Sequence, residues 1–425
     1  MNIRIGLCSL GCKVNQYETD TYAAAFRQKG ATVLPFDEAC DVYIINTCTV
    51  TALSDRKSRQ LLRRAKSLNP SALVVATGCY AQVSPQDVEA MEEVDLIIGT
   101  SGRDKIAETV LSALEHGAKN TVGDIFERRE YEEISTDGQE SRTRAYIKIQ
   151  DGCDNYCSYC IVPYARGHVR SRPIENILAE AHKLAQNGFR EIVLAGISVA
   201  SYGKDLIAIS LIDVIEAVCS VRGIERVRLS SIDPRAFTGS FITRLAAQEK
   251  VCRHFHISLQ SGCDSVLKRM NRRYTASEYL NVLAALRDTM DGVMITTDII
   301  CGFPGETEAE FAQTLEFVKK ACFLKAHVFP YSERQGTAAA KMEQLQRGVR
   351  TERARILSEV CEALRAETER AAVGRTEKVL FEDGGEGLSG SYLRILVPSA
   401  SELSGEIRTV KITKYINSRL MGELI

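Results

Sequence analysis

The sequence predicts an α/β protein in three parts: an N-terminal parallel α/β domain over 1–116, a central partial (β/α)6 barrel over 144–370, and a small all-β barrel over 371–425. A linker is expected over 117–143. Three observations predict this. Strand-like and helix-like segments alternate through the first part, which is the mark of a parallel sheet with crossover helices. After a polar, irregular stretch the alternation resumes for six units, short of the roughly 250 residues of a complete eight-fold barrel. Beyond Ala371 the pattern changes to short strand-like runs between glycine-rich turns.

The elements follow in order. Ile3–Leu7 reads as a strand and Gln16–Lys29 as a helix ended by Gly30. Val42–Asn46 is the next strand, and Ser54–Leu68 a helix that stops before Asn69-Pro70. Ala72–Thr77 is a strand, Ser84-Pro85 opens a helix, and Asp95–Ile98 is a fourth strand. The linker carries Glu127-Arg128-Arg129-Glu130 and Asp137-Gly138-Gln139-Glu140. The barrel strands are Ala145–Gln150, Glu191–Leu194, Val227–Ser230, Phe255–Leu259, Ile295–Ile300 and Lys325–Phe329. The tail offers Thr376–Glu382, Ser391–Val397 and Gly405–Tyr415, with Gly384-Gly385-Glu386-Gly387 as a turn.

The 425 residues include 45% apolar and 26% charged side chains, the proportions of a soluble globular chain. No apolar run approaches the roughly 20 residues that span a bilayer. The start reads as a strand and not as a signal peptide, so a cytoplasmic location without membrane contact is expected. Fourteen cysteines in such a chain point to metal or redox chemistry over disulfides. A net charge of −1 gives no global sign of nucleic acid, so RNA contact must come from local patches.

Two cysteine sets carry the chemistry. Asp151-Gly152-Cys153-Asp154-Asn155-Tyr156-Cys157-Ser158-Tyr159-Cys160 places three thiols at C-x3-C-x2-C spacing at the end of the first barrel strand. Three ligands leave one coordination position open. A structural zinc site needs four, for which His168 is the one candidate nearby. Ferredoxin runs use C-x2-C-x2-C with a further cysteine. An iron–sulfur cube with one free iron fits best, with zinc or a chance spacing as the alternatives. Cys12, Cys48 and Cys79 each fall just past a strand of the first domain. Parallel strands share one carboxyl edge, and ligands bind there, so the topology brings these three together. Singly, each reads better as a buried free cysteine; it is the three together at equivalent strand ends that point to a ligand set.

The C-x3-C-x2-C run with Tyr159 before its last cysteine resembles the radical S-adenosylmethionine (SAM) superfamily. That resemblance implies a 4Fe-4S cluster whose free iron chelates SAM and splits it to a 5′-deoxyadenosyl radical. It also implies the open barrel, with its chemistry at the carboxyl mouth. Leu10-Gly11-Cys12-Lys13-Val14-Asn15, Ile45-Asn46-Thr47-Cys48-Thr49-Val50 and Thr77-Gly78-Cys79-Tyr80-Ala81-Gln82 resemble the N-terminal domain of the methylthiotransferases. This implies a second 4Fe-4S cluster, on Cys12, Cys48 and Cys79, that carries the inserted sulfur. The tail resembles the RNA-binding TRAM domain, although seven basic and seven acidic residues there give it no net charge.

The resemblance extends to the strand ends. It assigns SAM binding to Tyr159, Gly196, Ser231, Gln260 and Gly302, where plain turn chemistry is the competing reading. It places Arg166-Gly167-His168-Val169-Arg170-Ser171-Arg172-Pro173 around the active site. Departures from the family pattern are Cys263, Cys301 and Ala338-Ala339. On the helix after Cys48, Arg56, Lys57, Arg59, Arg63, Arg64 and Lys66 form a basic run that reads either as a phosphate contact or as a solvated face.

The segment Gly11–Thr19 is most similar to the branch acting on threonylcarbamoyladenosine beside the tRNA anticodon. The implied reaction adds a methylthio group at carbon 2 of that base. The implied partners are a tRNA anticodon stem-loop, an electron donor such as a flavodoxin or ferredoxin, and a sulfur source. The alternatives are a prenyl-adenosine substrate, a ribosomal-protein side chain, or a non-enzymatic metal-binding RNA adaptor. The adaptor leaves the barrel-mouth position of Cys153, Cys157 and Cys160 without a purpose. Lys13, beside a cluster cysteine, is expected either to meet the substrate carboxylate or to cap its loop.

Overall fold

The N-terminal sheet consists of β1 (Arg4–Ser9), β2 (Thr32–Leu34), β3 (Val42–Thr47), β4 (Leu73–Gly78) and β5 (Leu96–Ile97), in the order β2-β1-β3-β4-β5. Every pairing is parallel. The computed structural model describes residues 3–117, 120–136 and 143–425. All six residues of β3 are buried, as a central parallel strand covered on both faces requires. The edge strand β2 has only three residues and lacks the apolar run that marks β3, so sequence reading passes over it. The first helix, Lys13–Gln28, begins three residues before its expected start. Cys12 is its N-cap, so the cysteine and the helix N-terminus coincide.

The central part has β6 (Arg144–Asp151), β7 (Arg170–Ser171), β8 (Glu191–Gly196), β9 (Arg226–Leu229), β10 (His254–His256), β11 (Met294–Cys301) and β12 (Lys325–Pro330). Six of these are the expected parallel barrel strands, joined between β9 and β10 by isolated bridges such as Ile232 to Ile257. The seventh, β7, is a two-residue antiparallel addition beside β6. Residues facing the outer helices are apolar, among them Ile147, Leu194, Val227, Phe255 and Ile299. The alternate positions are polar: Lys148, Glu191, Arg226, Arg228, His254, His256, Asp298 and His327. The period of two thus separates an apolar coat from a charged lumen.

The tail forms a closed five-stranded barrel of β13 (Thr376–Phe381), β14 (Glu386–Ser389), β15 (Arg394–Leu396), β16 (Ile407–Ile416) and β17 (Arg419–Leu424). Two strands were not expected from sequence. Glu386 and Gly387 belong to β14 and not to a turn, and β17 returns antiparallel to β16. Gly387 explains the misreading: a Cβ there would lie 2.4 Å from Val379 Cγ1, so the small barrel needs glycine inside a strand.

The tail also plugs the amino end of the larger barrel. Arg228 donates to the Ser389 carbonyl at 3.0 Å, and Arg226 to the carbonyls of Leu388 and Lys378. His254 stacks on Tyr392 with ring centroids 4.0 Å apart. The described part of the expected linker is packed too. Tyr131 donates to the Lys148 carbonyl at 2.9 Å, and Glu132 is buried against Arg103. Asp137-Gly138-Gln139-Glu140 lie outside the described residues. Among the described residues no helix is long and apolar enough to cross a membrane.

Candidate active site

The loop after β6 is built to present sulfur. Gly152 has φ +74°, and a Cβ there would sit 1.8 Å from the His168 carbonyl oxygen, so only glycine passes. Cys153 N–H donates to the Gly167 carbonyl at 3.0 Å. Ser158 is clamped from the far side: its N–H donates to the Met270 carbonyl and its hydroxyl to the Arg269 carbonyl. Ala339, at one of the family departures, donates its N–H to the Ser158 carbonyl at 2.7 Å. Arg272 reaches Cys157 Sγ at 3.5 Å. Burial pushes the Cys160 thiol up to about 12, and the neighbouring Cys157 and Cys153 sulfurs add to the rise.

The second triad assembles from three loops at the carboxyl edge of the N-terminal sheet. Gly11, at φ +94°, brings its chain so close to Cys48 that a Cβ would lie 2.6 Å from the Cys48 sulfur. Asn15 then ties the loops together, donating through Nδ2 to the carbonyls of Leu10 and Thr47 at 2.9 and 3.0 Å. Thr47 donates to the Thr77 carbonyl and accepts from Ala81 N–H, which holds the Cys79 loop. Burial pushes the Cys79 thiol up to about 12. Arg166 pulls the other way, and the Cys48 and Cys12 sulfurs add to the rise. Asn15 and Thr47 were inside the quoted motifs but carried no role there; only the three-loop junction reveals one.

All fourteen cysteines are free. Among the described residues no three His, Cys, Asp or Glu side chains close on a single metal ion. Both triads are thiol-only, a donor set that suits iron–sulfur over oxygen-seeking cations. His168, the candidate fourth zinc ligand, is held instead by Asp154 Oδ1 at 2.7 Å.

A cavity of about 180 Å3 lies at the carboxyl mouth of the barrel, lined by Cys160 of the first triad and by the residues that follow Cys48 of the second. Val50 and Thr51, following Cys48, line it together with Tyr159, Cys160 and Ile161; Gln260, Asp298, Ile300 and Phe329 complete it. Of the expected SAM-binding positions, Tyr159 and Gln260 line this cavity. Gln260 has φ +70° and is fixed by its N–H to the Asp298 carbonyl at 2.8 Å. Gly196 and Ser231 sit at neighbouring strand ends, Gly196 against Gln150 and Ser231 against the Ser258 hydroxyl at 2.7 Å. Gly302 is pressed against Arg350, where a Cβ would meet Arg350 Cα at 2.8 Å, and does not line the cavity. A larger cavity of about 490 Å3 lies between the barrel's amino end and the tail, lined by no cysteine of either triad.

Between the triads lies a fully buried charge network. Glu18 meets Arg103, Lys148 at 2.8 Å and Arg166 at 2.5 Å; Asp151 meets Lys148 at 2.6 Å and Arg103 at 2.8 Å. Burial alone would raise both carboxyls. The surrounding cations, Arg166 and Lys148 foremost, hold Glu18 far below its ordinary range, and Lys148 and Arg103 do the same for Asp151. Lys13 makes no ion pair among the described residues; burial draws it down to about 8, with Arg228 and Arg144 adding to the effect. The basic run after Cys48 is largely spent. Arg59 meets the Tyr80 hydroxyl, Arg63 meets Glu93, Arg64 meets Asp37 and Lys66 meets Asp95.

Comparison with known proteins agrees with this architecture. The radical SAM superfamily matches residues 147–318, and uncharacterized protein family UPF0004 matches residues 4–99. The chain is 39% identical to the threonylcarbamoyladenosine tRNA methylthiotransferase MtaB of Bacillus subtilis, over 96% of this chain and 93% of the relative. It is 37% identical to the protein of that name from Aquifex aeolicus, over 96% and 100%. It is 36% identical to a tRNA-2-methylthio-N(6)-dimethylallyladenosine synthase from Symbiobacterium thermophilum, over 99% and 94%. Among solved structures, the radical SAM methyltransferase TsrM from Kitasatospora setae superposes with a TM-score of 0.58 at 16% identity, over 78% of this chain and 77% of that one, which bears on the fold alone. With both family models matched and full-length relatives above 30% identity, the chain belongs to the radical SAM methylthiotransferase family.

Proposed function

We propose that this enzyme adds a methylthio group to carbon 2 of threonylcarbamoyladenosine in the anticodon stem-loop of tRNA. The observation that carries the reading is the cavity lined both by the Cys160 end of the first cysteine loop and by the segment following Cys48. Cys153, Cys157 and Cys160 would hold the cluster that binds SAM, and Cys12, Cys48 and Cys79 a second 4Fe-4S cluster that holds the sulfur. When bound, these groups supply the one-electron chemistry and the methylthio unit that an unactivated C–H bond demands. The chain's own residues do the rest. Gln260 and Tyr159 wall the SAM side, Val50 and Phe329 offer apolar surface to a flipped-out base, and both of the latter are exposed in the free enzyme. Lys13, which does not line this cavity and makes no ion pair among the described residues, is the cation assigned to the carboxylate of the threonyl group. The hairpin between β16 and β17 exposes Lys414 and Arg419 to the RNA backbone. The electron donor is of the flavodoxin or ferredoxin type, and a separate sulfur source reloads the second cluster.

Nucleoside mass spectrometry of tRNA tests the substrate. Deleting the protein removes the methylthio form of threonylcarbamoyladenosine, and the pair Lys414→Glu/Arg419→Glu lowers it. Loss of the methylthio prenyl-adenosine form instead moves the enzyme to the branch of the Symbiobacterium relative, and unchanged tRNA refutes the reading. The cluster count has its own measurement. Anaerobic reconstitution should load about eight irons and eight sulfides per chain, as two cubes of four. Stoichiometric zinc with little iron is the contrary result.

A further inference from the structure

Arg166 closes the short helix Val162–Arg166, just beyond Cys160, yet its side chain ends at the other triad. Its Nε–H donates to Cys79 Sγ at 3.2 Å. One terminal nitrogen donates to Asn15 Oδ1 at 2.6 Å, the other to Glu18 Oε1 at 2.5 Å. Asn15 in turn holds the Cys12 and Cys48 loops through the Leu10 and Thr47 carbonyls. One fully buried guanidinium therefore touches or braces all three loops of the second triad.

The network around it also carries one cation in excess. In the buried network four cations, Arg103, Lys148, Arg166 and Arg170, face three carboxylates, Glu18, Glu132 and Asp151. An uncompensated buried cation is costly, and Cys79, once a thiolate ligand of a cluster, would supply the missing anion within reach of Arg166. Cys157 has an arginine as well, but Arg272 stands farther off, at 3.5 Å.

We propose that Arg166 is a positioning residue for the second triad: it fixes Cys79 against its partners and sets the reduction potential of the iron–sulfur group held there. This rests on the reading that Cys12, Cys48 and Cys79 hold a cluster. Hydrogen bonds to cluster sulfur and nearby positive charge stabilise the reduced state and raise the potential. The same side chain ties the second triad to the loop of the first, so the two sites share one mechanical support.

The test is an EPR-monitored redox titration of the reconstituted full-length protein. In Arg166→Gln the midpoint of the second cluster moves to more negative potential, while that of the SAM-binding cluster stays where it is. Arg166→Lys keeps the buried charge opposite Glu18 and so guards against misfolding. A single ammonium cannot serve Cys79, Asn15 and Glu18 together, so its midpoint falls between those of wild type and Arg166→Gln. A purely structural role would change iron retention without moving a midpoint. About eight irons with unchanged midpoints overturns the inference alone; about four irons in the wild-type chain overturns the two-cluster reading and the inference with it.

Discussion

Cys157→Ala protein should show no reductive cleavage of SAM, whereas Cys48→Ala protein should cleave SAM and yield no methylthiolated product. The two residues belong to separate donor sets, one in the loop after β6 and one past the end of β3. Removing Cys157 leaves two thiols in a loop already fixed by the Gly167, Met270 and Arg269 carbonyls, so no backbone shift supplies a third ligand. Removing Cys48 leaves that loop untouched but empties the centre of the second triad, where the Gly11 and Thr47 segments converge. The measurements are 5′-deoxyadenosine release and product formation on the same samples. Full product formation by Cys48→Ala would falsify the sulfur-carrier assignment; cleavage by Cys157→Ala would remove its loop from SAM chemistry.

The second large effect is on stability. Glu18→Ala should destabilise the protein by about 3–5 kcal/mol, the cost of stranding buried charge by deleting one partner. Glu18 faces Arg103, Lys148 and Arg166, and all four side chains are almost wholly buried. It joins the first domain to the barrel, because Lys148 and Arg166 lie across that junction. The contribution depends on pH in a defined direction. Glu18 and Asp151 are held below their ordinary range, so their stabilisation is present above the unfolded value of about 4 and is lost as pH falls toward the depressed folded values. Equilibrium urea unfolding at neutral pH provides the measurement. A loss under about 1 kcal/mol would mean that water or rearrangement satisfies the stranded cations.

Much of this protein was legible in its residue order. The C-x3-C-x2-C spacing, the three cysteines past strand ends and the alternation of strands and helices are local patterns, and local patterns follow from backbone geometry. They determined two parallel α/β units, a β tail and two thiol sites on carboxyl edges. The tertiary structure decided what the charged residues do. No local window pairs Glu18, Arg103 and Lys148, and Arg166 is set near the active site by resemblance alone, yet Glu18 meets partners 130 and 148 positions away in a buried cluster. Arg59, Arg63, Arg64 and Lys66 show the converse: a basic run that suggests RNA is mostly paired with its own domain. Gly387 needed the packed barrel to explain why glycine occupies a strand. The physical reason is the same in each case. Periodicity fixes which way a side chain points, but its partner and its desolvation arise only when distant segments pack, and those two quantities determine whether a charge is a surface group or part of the site.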